Sequence, residues 1–269
     1  MRLAPIPVRA PFPWHALLDY LSHRLIPGVE LTQDGTYIRH TEQGVLRVMY
    51  DEKREYLLAD AQGIVDEQVV TSRIANLFDV DFDAASATAH LRDLPLFARR
   101  LQAVPGMRPL GAWSPFELCV RTILGQQVTV AAAGTLMRRW VERCGSITPS
   151  QVLAADLAQI GMPTKRIEFI RELARAVIDG RVDFAAPWQQ IEASLKSVAG
   201  FGPWTRAYLA IRLGRQPDEL PSSDLGLIRA ANVSSPKELL QLAEAWRPYR
   251  SYAATYLWAV ADGSDGVTK

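Results

Sequence analysis

The first third of the chain combines apolar runs with helical spacing and shorter runs with strand spacing. Apolar residues follow the helical repeat between Trp14 and Leu21 and again, at i, i+4, i+7 and i+8, between Val70 and Phe78. Three runs between them alternate with period two, as strands do: 37–40, 45–50 and 55–58. The pattern predicts a small sheet with a helix packed across it, which forms a mixed α/β domain over residues 1–85.

Helix signals replace strand signals from Asp83 onward. Three segments begin with a hydroxyl residue followed by proline and have Glu or Gln at the third helical position. This pattern predicts three helix starts with capping boxes, at Ser114, Thr148 and Ser235. Four glycines stand where apolar periodicity ends, as C-terminal helix glycines do: Gly145, Gly180, Gly214 and Gly263. We therefore expect two helical domains, one over 113–215 and the other built from 86–112 and 216–269.

The composition is that of a folded globular protein, with 48% hydrophobic and 22% charged residues among 269. The two cysteines, Cys119 and Cys144, are too few for a disulfide framework, a four-cysteine zinc site or an iron–sulfur cluster. The four histidines lack ligand spacing, so we expect no metal site. Prolines interrupt the N-terminus where a signal peptide would need an apolar run, and no run is long enough to cross a membrane. We expect a cytoplasmic protein with no membrane partner.

The net charge of +1 hides an uneven distribution along the chain. Residues 1–98 hold 9 basic and 14 acidic side chains, a net charge of −5. Residues 99–215 hold 16 and 8, a net of +8, and residues 216–269 hold 5 and 7, a net of −2. The basic middle segment is typical of a protein that binds a polyanion, but a solvated, arginine-rich helical surface gives the same count. Charge alone leaves both interpretations open.

Residues 195–205, within the basic region, connect two predicted helices through an unusual turn that contains two glycines. One helix ends near Val198, the next begins at Pro203, and Gly200 and Gly202 flank a single apolar residue, Phe201. The free N–H groups at the second helix start, together with its dipole, predict a site for a nucleic-acid phosphate that reads no base. A plain tight αα-hairpin is the alternative, and the positive charge of the segment favours the phosphate site.

Four segments with defined order and spacing point to a known family. They are I-L-G-Q-Q-V at 123–128, the G-F-G-P-W-T hairpin, L-P-S-S-D-L-G at 220–226 and A-E-A-W-R-P-Y-R-S-Y at 243–252. With them the chain resembles the AlkA-type DNA-3-methyladenine glycosylases II of the helix–hairpin–helix DNA glycosylase superfamily. The resemblance covers nearly the whole chain and implies an α+β N-terminal layer followed by a mainly all-α helix–hairpin–helix glycosylase core. It implies an enzyme that flips alkylated purines, such as 3-methyladenine and 7-methylguanine, out of duplex DNA and excises them in base excision repair.

The resemblance implies that Asp224 is the catalytic carboxylate. Breaking an N-glycosidic bond builds positive charge on the sugar, and a carboxylate placed beside it stabilises that charge. From the residues alone, Asp224 is also a good N-cap for the apolar helix that follows. A pocket for the flipped, electron-poor base is implied around five residues: Trp204, Tyr208, Trp258, Tyr20 and Leu225. Each aromatic face attracts a cationic ring by about 0.5–2 kcal/mol.

Six residues are implied to contact DNA: Gln127, Gly200, Phe201, Gly202, Trp204 and Thr205. Gln127, at the break between two helices, matches the wedge that fills the gap left by the flipped nucleotide. Its alternative role is to satisfy the loose backbone at the break. Superfamily members that also cut the strand carry a lysine at the position of Trp204, and this lysine forms a Schiff base with the sugar. Tryptophan there implies a monofunctional enzyme that leaves the abasic site uncut.

Damaged double-stranded DNA is the implied partner, a monomer is expected, and no cofactor is implied except a monovalent cation at the hairpin backbone. Two other functions fit parts of the sequence. A non-catalytic DNA-binding module would keep the hairpin without the chemistry, which Asp224 in its matched context disfavours. An oxidised-purine glycosylase of the same superfamily is disfavoured by the missing hairpin lysine. Asp218 and Glu219 are the nearest alternative carboxylates.

Overall fold

The computed structural model describes residues 2–64 and 66–259. Within them, five strands form one antiparallel sheet in the order β1-β5-β4-β3-β2. The strands are β1 (Ile6–Pro7), β2 (Glu30–Gln33), β3 (Thr36–Thr41), β4 (Gly44–Asp51) and β5 (Tyr56–Gln62). The three predicted strands are confirmed as β3, β4 and β5, although β5 begins one residue later than predicted and runs further. The edge strands β1 and β2 have two and four residues, too short for alternation to reveal them.

The described residues also form thirteen α-helices and a 3-10 helix, Glu244–Trp246, between the last two. The α-helices are α1 (Trp14–Ser22), α2 (Glu67–Phe78), α3 (Ala84–Leu91), α4 (Pro95–Ala103), α5 (Pro115–Leu124), α6 (Val130–Cys144), α7 (Pro149–Ala154), α8 (Thr164–Ile178), α9 (Trp188–Lys196), α10 (Pro203–Arg212), α11 (Leu225–Ala230), α12 (Pro236–Ala243) and α13 (Arg250–Ala259). The helices α1 and α2 confirm the two predicted in the first third, and the helical remainder confirms the predicted fold class.

The hydroxyls of Ser114, Thr148 and Ser235 each accept a hydrogen bond from the backbone N–H three residues later, which confirms the three predicted helix starts. The side chains at the third helical position differ in their partners. Gln151 accepts a hydrogen bond from the hydroxyl of its own N-cap, Thr148, at 2.7 Å, and Glu238 accepts from the N–H and hydroxyl of Ser234, directly before its N-cap. The carboxylate of Glu117 instead pairs with Arg39 of β3 at 2.5 and 2.8 Å, so at α5 a long-range partner replaces the reciprocal bond of a capping box.

Three of the predicted C-terminal glycines lie at helix ends in the structure. Gly145 and Gly180 follow α6 and α8 with φ of 75° and 70°, the left-handed geometry that favours glycine. Gly214 follows α10 without a left-handed φ, and a side chain there would collide with the ring of Trp188. Its role is therefore close packing rather than backbone geometry. Gly263 lies outside the described residues.

The buried residues form two large cores. The first joins sheet residues such as Leu46 and Val48 to buried residues of the C-terminal helices, including Leu227 and Trp246. The second lies among α5–α10 and includes Leu209 of α10. The helices α10 and α11 therefore belong to different cores and meet where those cores adjoin. The domain boundaries given above stay a prediction.

A buried ion pair fastens the sheet to the helical core. Arg39 of β3 donates to Glu30 of β2 at 2.8 Å and to Glu117 of α5, and all three side chains are largely buried. Burial raises the pKa of Glu117 above its ordinary value, even though Arg39 acts to lower it. Removing one member of such a group would leave a buried charge without compensation.

Candidate active site

Asp224 is the N-cap of α11, and its Oδ1 accepts the backbone N–H of Leu227 at 2.9 Å. The same oxygen accepts a hydrogen bond from Nε1 of Trp258 at 3.1 Å, and Oδ2 accepts one from Nε1 of Trp204 at 2.9 Å. The carboxylate is therefore held between an indole of α10 and an indole of α13, as well as by its own helix. Three independent donors orient it, and the N-cap role predicted from the residues alone is confirmed.

The aromatic side chains predicted for the base pocket lie together beside this carboxylate. Trp204 and Tyr208, one helical turn apart in α10, stack with ring centroids 5.6 Å apart and planes at 8°. Tyr208 meets Trp258 edge to face at 5.7 Å and 66°. Tyr20 of α1 is buried, and burial is the main cause that raises its pKa, with further contributions from Tyr208 and Asp224. Tyr20 of the N-terminal layer therefore lies near enough to Tyr208 and Asp224 to interact with them electrostatically.

Leu225 lies at the first position of α11, directly after Asp224, and is 66% exposed. It therefore faces solvent at the start of the helix. Its predicted place in a base pocket stays a prediction.

A group of arginines behind the aromatic cluster was not identified from the sequence. Nη1 of Arg212 donates to the hydroxyl of Tyr208 at 2.7 Å, and the guanidinium of Arg24 lies 3.7 Å from the ring centroid of Tyr20. Burial opposes ionisation of Tyr208, but Arg212, Arg24 and Arg121 outweigh it, so the pKa of Tyr208 is lowered. The sequence carries a signal for one of these contacts, since Arg212 stands four residues after Tyr208 on the same face of α10. Arg24 also stands four residues after Tyr20, but it lies in the turn beyond the end of α1.

The hairpin between α9 and α10 has the predicted plug and turn. Gly200 has φ of 94°, and a Cβ there would lie 2.7 Å from the ring of Phe169 of α8. Phe201 is 3% exposed and packs into the second core. Gly202 is exposed, is the N-cap of α10 and has open space where a Cβ would stand. The turn therefore needs glycine at 200 for its own structure, whereas the space beside Gly202 stays open toward solvent.

Two glutamines at the break between α5 and α6 have different environments. Gln126 donates from Nε2 to the carbonyl of Gly200 at 2.8 Å and to the hydroxyl of Thr205 at 3.0 Å, so it braces the hairpin from within. Thr205 is 2% exposed, which makes its side chain an internal support rather than a surface contact for DNA. Gln127 is exposed and has φ of 59°, uncommon for a residue other than glycine. Its role as a wedge stays a prediction, and sequence reasoning overlooked Gln126.

Two carbonyl groups of the hairpin turn already accept hydrogen bonds from side chains. That of Gly200 accepts from Gln126, and that of Phe201 accepts from Nη1 of Arg206 at 2.6 Å. Each of these oxygens has a second lone pair, and a monovalent cation at the hairpin backbone stays a prediction. The guanidinium of Arg206 supplies positive charge at the turn.

The alternative carboxylates and the cysteines have other environments. Asp218 is held by Arg247 and Arg250 at 2.7 Å each, and burial raises the pKa of Glu219. Both cysteines are buried and free. Residues 2–64 and 66–259 contain no group of three or more His, Cys, Asp or Glu side chains placed to hold a metal ion. None of the helices in that part of the chain is both long and apolar enough for a membrane crossing.

Two protein families match adjacent parts of the chain. Residues 3–114 match the AlkA N-terminal domain, and residues 120–248 match the HhH-GPD superfamily of base excision DNA repair proteins. A probable bifunctional transcriptional activator/DNA repair enzyme AlkA of Mycobacterium tuberculosis is 30% identical over 96% of this chain and 56% of its own length. DNA-3-methyladenine glycosylase 2 of Escherichia coli is 29% identical over 92% of this chain and 94% of its own length. The chain thus spans about half the length of the mycobacterial relative.

Solved structures share the fold at low sequence identity. A 3-methyladenine DNA-glycosylase from Archaeoglobus fulgidus superposes with a TM-score of 0.78 at 19% identity, covering 95% of this chain and 97% of the other. The 3-methyladenine DNA glycosylase of Schizosaccharomyces pombe, solved with abasic DNA, gives 0.57 at 23% identity over 65% of this chain and 95% of the other. At these identities the likeness establishes the fold.

Proposed function

The chain belongs to the AlkA-type helix–hairpin–helix DNA glycosylases, and from that premise we propose that it is a DNA-3-methyladenine glycosylase that releases alkylated purines from duplex DNA. The observation that carries this proposal is the carboxylate of Asp224, oriented by the indole N–H groups of Trp204 and Trp258 beside a cluster of aromatic rings. This arrangement places a carboxylate that could stabilise a cationic sugar directly beside aromatic rings that could bind a base.

In the proposed reaction, a 3- or 7-alkylated purine turns out of the duplex and lies against the aromatic cluster. The base carries positive charge, to which the ring faces are attracted. The C1′–N bond then breaks with its electron pair on the base, which leaves neutral, while positive charge builds on the sugar opposite Asp224. Water adds to C1′ and loses a proton to the solvent, so that an abasic site remains.

The proposed enzyme is monofunctional because the hairpin offers no amine to the sugar. Trp204 occupies the position that carries the Schiff-base lysine in strand-cutting superfamily members, and its N–H is already committed to Asp224. Lys196 lies at the end of α9 and is exposed. Hydrolysis of the glycosidic bond, without cleavage of the strand, therefore fits these residues best.

The proposed DNA contacts come from the hairpin and from the break between α5 and α6. Exposed backbone at Gly202 and the start of α10 would take a phosphate, and the net charge of +8 over residues 99–215 would add attraction that reads no base. The exposed Gln127 would enter the space left by the flipped nucleotide. Such a monomer would work in the cytoplasm, on the chromosome.

The test is to incubate the protein with methylated duplex DNA and to identify released bases by chromatography. We expect 3-methyladenine and 7-methylguanine in the supernatant, and strand breaks that appear only after alkali. Borohydride should trap no covalent complex, because no lysine forms a Schiff base. Binding of the duplex without any released base would instead favour a non-catalytic DNA-binding module, and a trapped adduct would contradict a monofunctional enzyme.

A further inference from the structure

Gly226 lies at the second position of α11, two residues after Asp224, and is exposed. Its backbone is helical and has no left-handed φ, so any residue could adopt it. Glycine is among the least favourable residues inside a helix, and α11 has only six residues. The backbone therefore does not explain the glycine, and the reason lies in the space around it.

A side chain at Gly226 would enter the candidate active site. A Cβ built on its backbone lies 3.0 Å from Oδ1 of Asp224, 3.7 Å from Cδ1 of Trp258 and 3.9 Å from Nε1 of the same indole. The first separation is tighter than most Cβ contacts, so the carboxylate would have to move by a few tenths of an ångström. Gly134 in α6 offers the contrast, since a Cβ there would meet nothing within 4 Å.

Resting on the proposed function, we propose that Gly226 is a specificity-determining position that leaves room for alkyl groups larger than methyl on the excised base. Asp224 faces the sugar and Trp258 faces the base, so the atoms beside both are those near the glycosidic bond. A substituent on a ring nitrogen next to that bond would project into the space that a side chain at 226 would occupy. The missing side chain therefore widens the range of adducts that the pocket accepts.

A larger residue at position 226 could act on base release in two ways, and these give different results. If a side chain only displaced the carboxylate, the release of every base would fall together, because each needs the same charge beside the sugar. If it also filled the substituent's space, the larger adduct would lose more than the smaller one. One extra methylene in a pocket of fixed size is commonly worth about 10–200-fold in rate.

The experiment measures single-turnover release of 3-ethyladenine and 3-methyladenine from duplexes of the same sequence. The proteins are the full chain, Gly226→Ala, Gly226→Leu and the matched control Gly134→Ala. We expect the unsubstituted protein to release both bases at rates within about one order of magnitude of each other. Gly226→Leu should lower the ethyl-to-methyl ratio by about tenfold or more, Gly226→Ala by less, and Gly134→Ala should leave the ratio unchanged.

Two results would overturn the inference: refusal of 3-ethyladenine by the unsubstituted protein, or an ethyl-to-methyl ratio that is unchanged in both Gly226 variants, whether or not the two rates fall together. Melting temperature and undamaged-duplex affinity, measured alongside, show that each variant is folded. No release of any methylated base by the unsubstituted protein would refute the proposed function itself. Release of the methylated base with refusal of the ethylated one refutes only the role of Gly226.

Discussion

The indole N–H of Trp204 donates to Oδ2 of Asp224 at 2.9 Å, across twenty positions of the chain. Trp204 lies in the first turn of α10, directly after the hairpin turn, while Asp224 starts α11. This bond therefore couples the element proposed to hold a phosphate to the carboxylate proposed to face the sugar. A shift of Trp204 on binding DNA would therefore disturb the hydrogen bond that helps to orient the proposed catalytic carboxylate.

Asp224→Asn should abolish most base release. It removes the negative charge proposed to face the developing cation, and loss of one well-aimed electrostatic partner costs about 3–4 kcal/mol of barrier, a rate loss of about a hundredfold or more. Asparagine caps helices about as well as aspartate, but its amide must turn an N–H toward one of the donors that now face the carboxylate. We expect a small fall in melting temperature and nearly unchanged duplex affinity. Full excision by the folded variant would move the catalytic role to another carboxylate.

Trp204→Phe should slow excision more than Trp258→Phe. Phenylalanine at 204 keeps a ring beside Tyr208 but leaves Oδ2 without its indole donor, whereas Oδ1 keeps the N–H of Leu227 when Trp258 is replaced. A hydrogen bond to a charged group is worth about 1.5–3 kcal/mol, so we expect a loss of roughly tenfold to a hundredfold for Trp204→Phe. Single-turnover rates of 7-methylguanine release provide the comparison. A larger loss for Trp258→Phe would show that ring contact with the base outweighs carboxylate positioning.

Arg206→Gln should weaken binding to undamaged duplex and make that binding less sensitive to salt. Its guanidinium donates to the carbonyl of Phe201 in the hairpin turn, beside the proposed phosphate site. Loss of one cationic contact lowers the slope of log affinity against log salt by about 1. The matched control is Arg181→Gln. Arg181 follows α8, is half-exposed and pairs with Glu172 of that helix, and it is not part of the hairpin turn. An identical salt slope for both variants and the unsubstituted protein would place Arg206 outside the DNA contact.

Gln127→Ala and Gln127→Gly should both slow excision while leaving affinity for undamaged duplex nearly intact. Both variants remove the proposed wedge, which lowers the fraction of flipped nucleotide. They differ in backbone strain, since glycine adopts the left-handed φ of 59° at this position freely, whereas alanine, like glutamine, adopts it only with strain. Melting temperatures report that strain separately. Normal excision by the glycine variant would assign the glutamine a backbone role at the helix break instead of a wedge role.

Stability should depend on pH through Tyr208. Burial opposes ionisation of this tyrosine, but Arg212, Arg24 and Arg121 outweigh it and lower its pKa from the ordinary 10.0. A group with a depressed folded pKa contributes stability that is present above its unfolded pKa and lost as the pH falls through the folded value. The unfolding free energy of the unsubstituted protein, relative to Tyr208→Phe, should therefore rise between the folded pKa and pH 10. Urea titrations at several pH values measure it, and a difference independent of pH would contradict the lowered pKa.

Local patterns predicted the elements whose signals are themselves local. The alternation that gave β3 and β4 survives because one face of each strand is buried, with Leu46 and Val48 fully enclosed. The caps at Ser114, Thr148 and Ser235 need only a backbone N–H three residues away. The short edge strands β1 and β2 were not predicted, because they are defined by pairing with a neighbouring strand and are too short to show an alternating pattern of their own.

The sequence by itself determined where several helices begin and end, the glycine turn with its buried Phe201, the family, and Asp224 as the candidate catalytic carboxylate. Only the tertiary structure decided that this carboxylate is clamped by Trp204 and Trp258, that Gln126 rather than Gln127 braces the hairpin, and that Gly226 leaves space beside it. The physical reason is distance along the chain. Capping and turns act within about four residues, whereas these contacts join groups up to 79 positions apart and exist only once two separate cores have packed together.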